Sequence, residues 1–131
     1  MRNQSTTFLI VEKPAREAYY ETLDLLASAL ATLHRAANEP NAPHSPIAWN
    51  WIQPSVRQAE KALHDLRSLG LTKTNLLTEL TQSLTVLVLA ADMLANGHLQ
   101  GDLALESQGL MQRNAERSLV ALKEIQQHDR I

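Results

Sequence analysis

The chain has 131 residues, of which 44% are hydrophobic and 20% charged, and a formal net charge of −2. That length makes one domain of ordinary size, and that balance supplies a core, which excludes wholesale disorder. Lys and Arg are scattered and absent between Lys73 and Arg113, so no basic stripe exists to displace counterions from phosphates, and no nucleic-acid partner is expected.

Aromatic residues make up 4% of the chain. A core of Leu, Ala, Val and Ile is what a helical bundle uses. The absence of cysteine excludes disulfides, thiolate metal sites and a cysteine nucleophile, and it suits a cytoplasmic protein. The start, Met1-Arg2-Asn3-Gln4-Ser5, lacks the pattern of a signal peptide. The longest apolar run, Val-Leu-Val-Leu-Ala-Ala at 86–91, is too short to span a bilayer, so no membrane association is expected.

In chain order, Thr-Thr-Phe-Leu-Ile-Val at 6–11 is β-branched and apolar and reads as a short extended segment within residues 1–13. Residues 14–131 read as a single helical-bundle domain. Pro14 suits the first turn of a helix. Tyr19, Leu23, Leu26, Leu30 and Leu33 then recur at spacings of four and three, one helical face. This helix should end near Asn38, before Pro40. Residues 39–46 are a loop by composition. Ser45 and Pro46 offer a cap and a first helical residue. Trp49, Trp51 and Ile52 follow, a possible partner-binding patch or the end of the core. Pro54 should kink this segment or open a helix of its own, with Val56, Ala59, Leu63 and Leu66 on its buried face.

Gly70 reads as the end of that helix and Thr72 as the cap of the next, although the heptad through Leu63, Gly70, Leu77, Leu84 and Ala91 would also suit one continuous helix. The third helix, about 72–96, is apolar all round at 86–91, as a helix surrounded by neighbours would be. Asn96-Gly97 should end it and Asp102 should cap the last helix. That helix should bury Leu105, Met111, Ala115, Leu119, Leu122 and Ile125, with Gly109 marking a close helix–helix approach. The expected fold is therefore all-α: a four-helix bundle whose last two helices form a long antiparallel hairpin.

Residues able to carry chemistry are few. No two of His34, His44, His64, His98 and His128 are spaced for a shared metal, and no Glu-x-x-His occurs. No glycine-rich phosphate loop or nucleophile elbow is present. No metal, cofactor or catalytic residue is expected, and the protein is not expected to be an enzyme.

One local pattern points further. Residues 78–85 read Thr-Glu-Leu-Thr-Gln-Ser-Leu-Thr, and 114–119 read Asn-Ala-Glu-Arg-Ser-Leu. Together they resemble the dimerisation helices of sensor histidine kinases over roughly residues 72–127. Glu79, Leu80, Gln82, Leu84 and Thr85 fit that family's phosphoacceptor box. Thr78 stands where the histidine should be, and Ser83 where a proline should be. Threonine has no imidazole lone pair to attack ATP, and its hydroxyl is hard to activate without a base. No ATP-binding domain follows in this sequence, so autokinase activity is not expected. The resemblance implies a homodimer in which two hairpins make the central four-helix bundle. It also implies a docking surface for a response regulator or a sensor kinase, carried by Thr78, Glu79 and Gln82, with Gln82 as a weaker candidate for phosphatase assistance. The implied function is that of a non-catalytic regulatory or adaptor protein in two-component signalling.

Two other readings stand beside it. His64-Asp65-Leu66-Arg67-Ser68 resembles the site of histidine phosphotransfer domains, which are monomeric four-helix bundles. This makes His64 an alternative phosphoacceptor, with Ser68 in place of the family's glycine. The third reading is a bundle with a purely structural or assembly role.

Overall fold

Helix α1 (Arg2–Ala37) is 36 residues long and carries the face on which much of the bundle is assembled. The computed structural model describes residues 2–38, 50, 52–96 and 101–128, with side chains from residue 14 to residue 127 within those ranges. Among the described residues the chain forms four helices and no strand. The other three are α2 (Gln53–Leu69), α3 (Thr74–Ala95) and α4 (Asp102–His128).

The segment at 6–11 is helical, not extended, and Pro14 lies inside α1 rather than in its first turn. Strand propensity loses here for a simple reason. An isolated strand leaves its backbone groups without a ladder, whereas a helix satisfies them within itself. The face expected for α1 is the face it buries: Tyr19, Leu23, Leu26, Leu30 and Leu33 are all in the core. The helix ends where expected. The Asn38 N–H bonds the Arg35 carbonyl at 3.2 Å, and its side-chain amide bonds the His34 carbonyl at 2.7 Å.

Ser45, Pro46, Trp49 and Trp51 lie outside the described residues, as do His44, Gly97 and His98. Ile52 is fully buried. Pro54 opens α2 from its first turn, where its missing N–H costs nothing. Gly70 breaks the chain after α2 with φ 66°, a left-handed conformation that glycine adopts without strain. The heptad therefore does not run through as one helix. Thr72 is not the cap of α3. Lys73 holds that position in extended conformation and accepts the first helical bond, from the Leu77 N–H.

Asp102 likewise begins α4 rather than capping it. Gly101, at φ 59°, accepts the Leu105 N–H, and Asp102 lies in the first turn, where its charge favours the helix dipole. On α4, Met111, Ala115, Leu122 and Ile125 are buried, Leu119 partly so, but Leu105 is 53% exposed and Ala104 takes its place inside. Nor is Gly109 at a helix crossing. A Cβ there would meet only the Arg113 guanidinium of its own helix, 3.3 Å away.

The helices form a ring, α1 beside α2, α2 beside α3, α3 beside α4 and α4 beside α1. The α3–α4 hairpin is the most extensive pairing and α2–α3 the thinnest. The short links force α3 antiparallel to both α2 and α4. One apolar cluster runs through all four helices, so the inner face of the hairpin is covered by α1 and α2 of the same chain. The central place that a second hairpin would take, in the dimer implied by the kinase resemblance, is thus filled from within.

Candidate interaction surface

Helix α3 sorts the kinase-like residues by chemistry. Leu80 and Leu84 point into the core, whereas Thr78, Glu79, Gln82 and Thr85 are exposed. The Thr85 hydroxyl donates to the Thr81 carbonyl at 2.7 Å. The structure therefore brings Thr78, Glu79 and Gln82 together on the outer side of one helix. Ser83 does something else. It is buried at the α3–α4 seam, where its hydroxyl donates to the Glu79 carbonyl at 3.0 Å and accepts from the Ser118 hydroxyl at 2.9 Å. In the return segment Asn114 and Ser118 turn inward, and Glu116 and Arg117 outward.

The outer side of α3 continues as an apolar strip. Val86, Leu89 and Met93 are exposed, Leu89 by 58%, so the run at 86–91 is not enclosed by neighbours on every side. With Asn75, Glu79, Gln82 and Asn96 they form an exposed stripe at alternating spacings of four and three, the spacing of a helix seam. Glu79 is its single charge. Across the hairpin, Leu103, Leu110 and Val120 of α4 are exposed as well. Sequence reading missed this surface because it treated every leucine of α3 as core. The stripe's own spacing was the available signal.

His64 is exposed on α2 and lies apart from Thr78, Glu79 and Gln82, although Leu89 of the apolar strip lines the same groove. It edges a groove of about 380 Å³ between α2 and α3, with Leu63, Leu84 and Val88 among its apolar lining and Arg67 and Asp92 among its polar lining. Arg57 ties this groove at one end, contacting Glu60 on its own helix and Asp92 on α3 at 3.5 Å. His64 is level with Thr85 and Val88, not with Thr78. Among the described residues no three His, Asp or Glu side chains gather in a way that could hold a metal ion.

By length and composition α3 could also cross a membrane: it has 22 residues, with a mean hydropathy of 1.3 over its most apolar window. Counting only unbroken apolar residues underestimates it. Its inward residues, Leu76, Leu80, Leu84, Leu87, Ala91 and Leu94, are packed in the bundle.

No family model, curated protein or solved structure matches the chain.

Proposed function

We propose that this protein is a non-catalytic regulatory or adaptor protein of the cytoplasm that works by protein–protein contact through the outer face of α3, in two-component signalling. The observation that carries the reading is the shared outward exposure of Thr78, Glu79 and Gln82, continuous with the apolar strip of Val86, Leu89 and Met93. Apolar anchors beside a polar rim suit a partner helix: the anchors supply affinity and the rim sets register. The partner is a response regulator or a sensor kinase. With threonine at position 78, the contact is one of docking and not of phosphoryl transfer.

The test is titration of the chain with a panel of response regulators, each with and without a phosphoryl mimic. Glu79→Lys should weaken binding to the cognate regulator about tenfold or more, with the melting temperature unchanged because Glu79 is exposed. A panel that shows no binding at all would remove the response regulator as the partner and leave a sensor kinase or a structural role for the bundle. Binding that ignores Glu79→Lys and Gln82→Ala would place the contact elsewhere.

A second reading rests on the exposure of His64 beside the open α2–α3 groove. Here the protein is a phosphotransfer carrier. It should take an acid-labile phosphoryl group from a small-molecule phosphodonor and lose the label completely in His64→Gln. Equal labelling of the variant, or none in either, removes that reading.

A further inference from the structure

The four helices pair unevenly around the ring. Where α2 meets α3, the thinnest pairing, the seam stays open as the groove of about 380 Å³. That is within the roughly 300–1,000 Å³ of small-molecule sites. Its floor is apolar: Leu63 and Leu84 are buried and Val88 is half-buried. Both ends are closed. At one end Arg57 crosses the seam to Asp92 at 3.5 Å. At the other, residues 70–73 carry the chain from α2 to α3. From Arg57 to Leu69 the seam runs about 18 Å along α2. A long partner helix would have to ride over both stops, whereas a short molecule lies between them.

Charge divides the groove along its length. At the Arg57 end, Glu60 and Asp92 share the Arg57 guanidinium. The other end holds His64 and Arg67, one turn apart on the same side of α2. Among the described residues neither has an ion-pair partner. The other acids nearby do not supply one, because Asp65 on α2 and Glu79 on α3 lie on the sides of their helices turned away from the groove. Across the seam stands Thr85, which is neutral.

We propose that this groove binds a small free carboxylate with an unbranched apolar chain, a ligand of the fatty-acid class. The carboxylate sits between Arg67 and His64, where the guanidinium fork and an imidazole N–H donate to its oxygens. The chain lies on Leu63, Leu84 and Val88 and runs toward Arg57. From Arg67 back to Glu60 is seven residues, about 10 Å along the helix, which limits the chain to medium length. The charges also set its direction. Turned end for end, the ligand would bring its carboxylate beside Glu60 and Asp92, and like charges repel. A neutral or cationic head would leave Arg67 without a counter-charge. Leu89 stands at the rim, 58% exposed, and is the one residue shared with the strip on α3. Neither the head site nor the floor depends on it, so the proposal stands independently of the docking reading.

Decanoate is the probe. Titrated into the full chain and followed by methyl NMR, it should occupy a single site with a dissociation constant below about 1 mM, shifting Leu63, Leu84 and Val88 first. Decanol and decyltrimethylammonium carry the same chain without the carboxylate and should bind at least about tenfold more weakly. Arg67→Glu should cost decanoate about tenfold or more in affinity, with the melting temperature kept because Arg67 is exposed. Thr85→Trp, also at an exposed position, should fill the groove and block binding. Lys123→Glu makes the same change in net charge on the exposed side of α4 and should leave binding as it is. Equal affinity for the three probes overturns the proposal, as does decanoate binding that survives Arg67→Glu or Thr85→Trp, or no saturable binding below about 1 mM. A groove silent to decanoate but shifted by a response regulator overturns it in favour of a protein occupant. Retention by phosphatidylcholine–phosphatidylglycerol vesicles without binding of free decanoate overturns it in favour of a lipid surface. Regulator docking that depends on Glu79 in a chain indifferent to decanoate would defeat the groove site alone. Decanoate binding by a chain that docks on no regulator would leave the site standing and defeat only the signalling reading.

Discussion

Leu26→Ala is expected to destabilise the protein by about 3–4 kcal/mol, within the range measured for leucine truncated in a packed core. Leu25→Ala, one residue earlier, should change stability by less than about 0.5 kcal/mol. The two side chains are chemically identical and differ only in which way α1 turns them. Leu26 is 0% exposed and Leu25 is 47% exposed. Truncating Leu26 removes its transfer free energy and leaves a cavity among Leu23, Leu30 and the helices beside them, which a bundle of long, rigid elements can close only in part. For a domain of this size the loss should lower the melting temperature by about 10–15 °C. Chemical denaturation of both variants, read by circular dichroism, is the direct measurement. Equal effects at the two positions would mean that α1 docks on a different face from the one described.

That contrast also shows how far the sequence could be read. On α1 and α2, leucine and alanine recur at spacings of four and three among charged residues, so the buried face announces itself. Every residue expected there, from Tyr19 to Leu33 and from Val56 to Leu66, is buried. On α3 the signal saturates. With apolar residues on every side between positions 86 and 91, periodicity cannot choose a face, and the exposed Leu89 looks the same as the buried Leu87. On α4 the error runs the other way. Leu105 outranks Ala104 by hydrophobicity, yet the small alanine is the residue that fits against the neighbouring helices, at 4% exposure. Hydrophobicity counts what a side chain gains by leaving water. It says nothing of how much room the neighbouring helix leaves.

The candidate surface was legible in part for the same reason. Thr78, Glu79 and Gln82 are polar residues on an apolar helix, so their outward position follows from amphipathicity alone. The sequence did not mark Ser83 and Ser118 as a buried pair, because isolated serines on a helix are usually solvated or bonded to the preceding turn. Their partnership is a long-range fact, set by the hairpin register. The short extended segment failed because β-propensity describes a residue's fit to a pleated neighbour, and no strand among the described residues supplies that neighbour.

Replacing both Gln108 and Gln112 with Leu should cost about 2–3 kcal/mol, more than the two single replacements together. The last carbonyls of a helix have no partner within it. At the end of α1, the Ala37 carbonyl is met by the Gln108 amide at 2.8 Å and the Gln112 amide at 2.7 Å, one turn apart on α4. Ala37 itself is fully buried, so water cannot readily replace them. With Gln112 gone, Gln108 still holds the carbonyl, and Gln112→Leu alone should cost less than about 1 kcal/mol. With both gone, the carbonyl is buried without a donor and bears its full desolvation penalty. Leucine preserves most of the side-chain volume, so the cycle reads the hydrogen bonds more than the packing. The expected result is a coupling of at least about 1 kcal/mol between the two positions in denaturant unfolding. Strict additivity would mean that water reaches the end of α1, and that apolar contact alone fixes α1 on α4.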